Sequence, residues 1–359
     1  MASAIFTPSR RELACIALAA IALRVVVLIV MGLKAHDLAG MPYRSDGIAY
    51  IDNARRINGD AMPSAYDQRV FVGLPWLIAM THRLGVPYGA GAQAFGLVLP
   101  GLVCAGTALW LRDRRIGWAM AVLPPHWVLD TACVMNESLM IGLCVLAMIT
   151  LRQQRFWGVL GAAVLFAAAG MVRPMACFAV MGALALLLQA RRPGRALALS
   201  LATLALLAGM FFAFKHVYWN PLDNMRAYDT EKLAYDGQVF TYPFGSFVEV
   251  GRARGVLRPT YVYKAAYMVA ALIVLGLAAV AWWRSRRPLD AWAVAWWGGN
   301  VAFVTCIGSH WGVDIAQRSL MWAAPAAYWT LRDWLPVRWW VRLAWALLAI
   351  PWVFITSQS

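Results

Sequence analysis

The chain of 359 residues is 62% hydrophobic and only 14% charged. A soluble globular chain carries roughly 45–50% apolar residues, so the composition excludes an ordinary soluble enzyme. The formal charge of +15 does not signal nucleic-acid binding, because Lys and Arg sit in short loops between apolar runs, where membrane orientation places them.

The apolar runs recur from start to finish at a length near the 20 residues that a bilayer core takes. They predict an all-α polytopic membrane protein, a single integral membrane domain over residues 1–359. Ser9-Arg10-Arg11 precedes the run Leu13–Leu33. That run is long and lacks a small-residue cleavage site, so it reads as a retained helix leaving a cytoplasmic N-terminus. Further spans are expected at about 90–111, 116–135, 137–151, 156–171, 173–190, 196–215, 262–283, 289–307, 319–332 and 338–356, eleven in all. Every second connector is basic: "RDRR" at 112–115, "RQQR" at 152–155, "RRPGR" at 191–195, "RSRRP" at 284–288 and "RDWLPVR" at 332–338. These mark the cytoplasmic face. Residues 71–85, "FVGLPWLIAMTHRLG", are read as a helix lying on the outer surface, since a twelfth crossing would put every basic loop outside.

The opposite face holds two long loops, about 34–89 and 216–261, and short ones near 130–137, 171–174 and 308–318. Of the 17 acidic residues only Glu12, Asp113, Asp290 and Asp333 fall on the basic side, leaving 13 in the outer segments. Any chemistry is therefore expected outside. The six cysteines, Cys15, Cys104, Cys133, Cys144, Cys177 and Cys306, lack C-x-x-C spacing and indicate neither a metal site nor a disulfide framework.

Five outer stretches carry candidates. "SDGIAYIDNARRI" is expected to start a helix near Ser45 or Asp46, with Ile48, Ile51, Ala54 and Ile57 as its apolar stripe. Asp46 is then a cap or a functional carboxylate, with Tyr50 a turn on; Asp52 reads as a surface charge. In "DTACVMNESLMIGL" Glu137 sits beside Asn136 at a helix boundary, as a dipole-stabilised cap or a buried charge with a role. In "AGMVRPMACF" Arg173-Pro174 makes a tight turn, placing a guanidinium suited to lipid headgroups or to a phosphate. In "GSHWGVDIAQRSLMWAAP" His310, Asp314 and Arg318 recur every four residues, one face of a helix. The loop at 215–238 is polar and aromatic, an interfacial belt or a surface for sugar stacking. No Walker loop, G-x-G-x-x-G, H-E-x-x-H or G-x-S-x-G pattern is present, which weakens nucleotide-driven transport and zinc proteolysis.

The succession "SDGIAY", "RVFVGLPWLIAMTHRLG", "NESLMIGL", "GMVRPMACF" and "QRSLMWAAPAAYW" resembles the GT-C membrane glycosyltransferases, which use polyprenyl-phosphate sugars as donors. Within that superfamily it is similar to the glycosylphosphatidylinositol mannosyltransferases, the protein mannosyltransferase-like families and related bacterial membrane mannosyltransferases. The resemblance implies a GT-C fold with juxtamembrane helices on the outer face. It also implies transfer of a hexose, mannose-like, from a polyprenyl phosphate to a hydroxyl on a lipid, glycan or protein, with inversion. Asp46 matches the general base, Glu137 an acidic position contacting acceptor or metal, and Arg173 and Arg318 positions contacting the donor phosphate. Tyr50 and His310 complete the candidate substrate-binding set. A divalent metal, where one is used, falls to Asp46 and Glu137. Many members carry adjacent acids where this chain has Asp46-Gly47, so metal use and donor sugar stay open.

The residues fit that chemistry independently, since a base within about 3 Å of the acceptor and Arg or His donors for the leaving phosphate suffice. On this reading Asp46, Glu137, Arg173 and Arg318 should share one outward-opening cavity. High Ala, Arg and Trp content points to a bacterial inner membrane, with an endoplasmic reticulum placement of the same orientation as the alternative. The competing function is a transporter or flippase for a lipid-linked glycan, which needs a polar path; Arg24 and Asn300 are its mid-span candidates. A membrane scaffold is the third.

Overall fold

The computed structural model describes residues 7–37, 39–40, 46–60, 71–123, 125–153, 155–215, 242–254, 259–307 and 316–335. Among these the chain is helical, with no β-sheet. Four helices are long and apolar enough to cross a membrane: α1 (Arg10–Ala35), α4 (Tyr88–Leu111), α10 (Pro193–Lys215) and α12 (Pro259–Ser285). Their apolar stretches of 21 to 26 residues reach roughly 31–39 Å at 1.5 Å per residue, against a core of about 30 Å. The protein is a helical membrane-associated protein.

Shorter apolar helices fill the bundle: α7 (Glu137–Leu151), α8 (Phe156–Val172) and α9 (Ala176–Gln189). The helix α13 (Pro288–Cys306) packs on α9. Gly182 admits that contact, because a Cβ there would lie 2.9 Å from Trp292 Cδ1 and 3.1 Å from Trp296 Cβ. Between α1 and α4 lie α2 (Gly47–Asn58) and α3 (Gly73–Arg83). The 11 residues of α3 reach about 16 Å, too short to cross. It buries Leu74, Pro75, Ile78 and Ala79 against its neighbours α2, α4 and α8. The second long loop has α11 (Gly245–Arg254) as its described part.

Three boundaries differ from the sequence-based expectation, each at a proline. The run 116–135 is two helices, α5 (Arg114–Val122) and α6 (Pro125–Ala132), separated at Leu123, whose φ of −131° and ψ of 157° are extended. Pro124 and Pro125 lack N–H donors, and a residue before proline is pushed out of the helical region. The break leaves carbonyls at the end of α5 to be capped by side chains: Trp127 Nε1 donates to Met120 O (2.8 Å) and Arg24 Nη1 to Ala121 O (3.3 Å). Arg24 also donates through Nε to Thr131 Oγ1 (2.8 Å).

The run 319–332 is α14 (Ala316–Leu320), a 3₁₀ turn at Met321–Ala323 and α15 (Ala324–Thr330); Pro325 supplies no N–H for Met321 O. Helix α9 begins at Ala176 rather than 173, because Arg173, ahead of Pro174, is extended (φ −155°, ψ 134°) and ends α8. Residues 338–356, the last expected span, lie outside the described residues.

Charged side chains gather at two opposite ends of α1, α4, α7 and α8. At one end Arg114 Nη1 meets Glu12 Oε2 at 3.4 Å, Arg115 Nη2 meets Asp113 Oδ2 at 2.7 Å, and Arg152 Nη1 donates to Leu109 O at 3.5 Å. Buried Asp290 accepts there from Trp329 Nε1 at 2.8 Å, with Arg332 Nη1 at 3.6 Å. At the other end, where α7 starts and α8 finishes, stand Glu137 and Arg173.

Candidate functional site

The first residue to place is Asp46. It precedes α2 as its N-cap residue, yet its side chain makes no capping hydrogen bond. Its Oδ2 instead accepts from Arg318 Nη2 at 2.9 Å, across 272 residues of sequence. The cap explanation for this carboxylate is therefore removed. The stripe of α2 is buried through Tyr50, Ile51, Ala54 and Ile57, while Ile48 is 61% exposed. Ile48 thus leaves the expected stripe and Tyr50 takes its place. Asp52 stays at the surface, 3.4 Å from Arg55.

Glu137 opens α7 and is 2% exposed. Its Oε1 accepts from Arg318 Nε at 2.5 Å and from Arg173 Nη2 at 2.9 Å. Arg173 is fixed from two further sides. Its Nε donates to Asn136 Oδ1 at 2.7 Å, and its guanidinium carbon lies 5.1 Å from the centre of the Trp322 ring. Asn136 Nδ2 in turn donates to Val172 O at 3.2 Å, tying the start of α7 to the end of α8. The extended Arg173 and the turn after it aim this guanidinium at α7 rather than along α8.

The structure thus joins Asp46, Glu137, Arg173 and Arg318 in one group of two cations and two anions. Tyr50, 1% exposed, lies within electrostatic reach of all four. Burial first, and then the neighbouring Asp46 and Glu137 carboxylates, push its phenol well above the ordinary range despite Arg173 and Arg318, so it remains an O–H donor. Burial pulls the Arg318 guanidinium down, but Glu137 and Asp46 outweigh it and hold Arg318 still more firmly charged. His310 and Asp314 lie outside the described residues, as does most of the aromatic loop at 215–238.

Asp130, in the stretch "DTACVMNESLMIGL", carries no spacing signal of its own. It sits on α6, whose eight residues reach about 12 Å and cannot cross a bilayer. Its carboxyl makes no hydrogen bond or ion pair among the described residues. Burial raises it to about 7, against the pull of Arg318 and with a further push from Glu137. A second residue without an advance signal is Trp322, the face on which Arg173 rests.

The set does not fit a divalent metal as it stands. Arg318 bridges Asp46 and Glu137, the two carboxylates that the family resemblance offers as ligands. Among the described residues no group of three or more His, Cys, Asp or Glu side chains is placed to hold one. What the arrangement offers is a carboxylate at the rim, Asp46, with its side chain 26% exposed. Behind it stand two guanidiniums, each with its Nη1 uncommitted among the described residues. A rim base with bidentate cations behind it suits proton abstraction beside a bound phosphate. No protein-family model matches the chain, and no curated protein matches it in sequence.

Proposed function

We propose that the protein is a membrane glycosyltransferase that moves a hexose, mannose-like, from a polyprenyl phosphate to an acceptor hydroxyl. The observation that carries this reading is the Asp46–Arg318–Glu137–Arg173 group: a carboxylate that caps nothing, paired with Arg318 and through Glu137 with Arg173, at the end of the bundle away from the basic loops. Asp46 takes the proton of the acceptor hydroxyl as its oxygen attacks the anomeric carbon. The bond from that carbon to the phosphate oxygen breaks, and its electron pair leaves with the phosphate. Attack opposite the leaving group inverts the anomeric centre. Arg318 and Arg173 stabilise the negative charge left on the phosphate. A donor phosphate that competes for Arg318 Nη2 also loosens the Asp46–Arg318 ion pair. The Tyr50 hydroxyl adds a neutral hydrogen-bond donor beside them.

In this reading the basic end is cytoplasmic and the site faces outward, in a bacterial inner membrane with eleven crossings, α5 and α6 together making one and α14 and α15 with the 3₁₀ turn between them another. Helices α7, α8 and α9, of 15, 17 and 14 residues, reach about 21–26 Å. As crossings they rely on flanking arginines extending to the headgroups. The polyprenyl tail stays in lipid while the sugar reaches the site.

The flippase alternative is weakened by its own two residues. Arg24 and Asn300 are fully buried, and each is engaged locally, Arg24 at the α5–α6 break and Asn300 through Nδ2 to Ser319 O at 2.9 Å. The test is sugar transfer by purified protein from a polyprenyl-phosphate hexose, for wild type and Asp46→Asn. Loss of transfer by a folded Asp46→Asn protein is expected. Unimpaired transfer removes Asp46 as the base, and lipid scrambling without transfer by the wild type turns the assignment to the flippase.

A further inference from the structure

The hairpins α9–α10 and α12–α13 turn around on the same three residues, Arg191-Arg192-Pro193 and Arg286-Arg287-Pro288. The likeness extends to the backbone. Arg191 and Arg286 are both left-handed, with φ of 57° and 52°, a conformation that ordinarily falls to glycine. In each turn the proline then opens the next helix, where its missing N–H is no loss.

The two turns stand side by side. Helices α9 and α13 meet where Gly182 faces Trp292 and Trp296. At the end of α9, Gln189 Nε2 donates to Arg286 O at 2.8 Å. The other arms of the hairpins, α10 and α12, are the least buried of the four long helices, 17% of the apolar stretch in each against 28% in α1 and 50% in α4. The turns therefore join the packed interior to helices that face lipid. Exposed Leu188 and Leu197 flank the first turn, and exposed Trp283 the second.

Six arginines gather here, Arg191, Arg192 and Arg195 from one hairpin and Arg284, Arg286 and Arg287 from the other. Membrane orientation calls for basic loops, but the acids of this end are spent elsewhere. Glu12 pairs with Arg114 and Asp113 with Arg115, while buried Asp290 accepts from Ser285 and Trp329 with Arg332 at 3.6 Å. Residues 336–359 contain no Asp or Glu. Arg191, Arg284, Arg286 and Arg287 are exposed and make no ion pair among the described residues. The Arg286 guanidinium is nonetheless held in place, its carbon 5.0 and 4.5 Å from the ring centres of Trp282 and Trp283, a cation on indole faces.

This chemistry selects the occupant. Guanidiniums bind phosphate oxygens in pairs, and two like turns offer two phosphate positions. The exposed apolar side chains beside them suit acyl chains, which a soluble diphosphate would leave uncovered. We propose that the paired Arg-Arg-Pro turns form a binding surface for an anionic phospholipid that carries two phosphates, of the cardiolipin type, one phosphate to each turn. The surface lies at the end of the bundle opposite Asp46 and is independent of the reaction proposed there.

The test is native mass spectrometry of the full-length protein in detergent, titrated with cardiolipin or with twice the amount of phosphatidylglycerol, which supplies equal charge and equal chains. The arginines engaged by the second phosphate predict cardiolipin binding at least about 10-fold tighter in the wild type. Arg191→Gln and Arg286→Gln should each cut that ratio about 5-fold, and the double variant should bring it close to one. Arg152→Gln/Arg155→Gln removes the same two charges from another basic loop and should leave the ratio unchanged. A wild-type ratio of one overturns the surface. An equal fall in the Arg152/Arg155 control also overturns it, by reducing the effect to net charge. Displacement of cardiolipin by an equal concentration of inorganic pyrophosphate overturns the lipid as occupant.

Discussion

Glu137→Gln isolates the energetics of the ion group. Glu137 is 2% exposed and its Oε1 is shared by two guanidiniums, at 2.5 and 2.9 Å. Each bond is charge-assisted, worth about 1.5–3 kcal/mol. Glutamine keeps one acceptor oxygen but no charge, so two cations are left facing Asp46 alone. Removing one partner from a buried pair typically costs about 3–5 kcal/mol, and that is the expected loss. Asp46→Asn, at a partly exposed position, should cost only about 1 kcal/mol. In a Glu137→Gln/Arg173→Gln double variant one cation leaves with the anion. Its loss should therefore fall at least about 1 kcal/mol short of the sum of the single losses. The assay is reversible unfolding by denaturant in mixed micelles at constant detergent, with the slope checked for constancy across variants. A loss below about 1 kcal/mol for Glu137→Gln, or additive behaviour of the pair, refutes the group as an energetically connected unit.

Other consequences are open to the same measurement. Burial holds the Asp130 carboxyl at about 7 in the fold, against an unfolded value near 3.9. Its contribution is therefore full below pH 4 and is lost as pH rises toward 7. Asp130→Asn should flatten that decline and stabilise the protein at pH 8 by an amount on the order of 2 kcal/mol; equal pH profiles for variant and wild type refute it. Gly182→Ala places a Cβ 2.9 Å from Trp292 Cδ1 and 3.1 Å from its carbonyl oxygen, with an expected loss of about 1–3 kcal/mol. Arg112 ends α4 with φ of 54°, a conformation that favours glycine. Arg112→Gly is expected to gain about 0.5–1 kcal/mol, and a loss of stability argues that its charge matters more than its backbone.

Much of the fold is legible along the chain because it depends on local composition. Among the described residues the long apolar runs are helical, and the start of α2 falls where Ser45 and Asp46 put it. The errors have local causes too. The run 116–135 is apolar enough to read as one helix, but two adjacent prolines outrank apolarity. Ile48 has the spacing of a buried residue, yet the face of α2 is set by what α2 packs against, and Tyr50 fills it.

The site is another matter. Outer-end positions and a family resemblance point to Asp46, Glu137, Arg173 and Arg318, but their convergence on one another is a tertiary fact without a spacing signal. Asn136 stood beside Glu137 in plain view, but its role depends on Val172 and Arg173, 36 and 37 residues away. Asp130 was one acid among thirteen outer ones, and only burial beside Arg318 distinguishes it.

A structural latch alone is a poor account of the group. Replacing a buried ion pair by apolar residues of similar volume is often neutral or stabilising, and this chain fills most of its interior with apolar side chains. Charge is retained at a single place among α2, α7, α9 and α14, joined by a rim carboxylate that does not cap its own helix. There the two cations are balanced by two anions of unequal hold. Glu137 is buried between both guanidiniums, whereas Asp46 meets Arg318 at the rim and is partly exposed. An incoming phosphate thus meets arginines already oriented, with a rim anion rather than a buried one to displace from Arg318. The unequal hold is the physical reason to assign the base to Asp46 and the positioning of the arginines to Glu137.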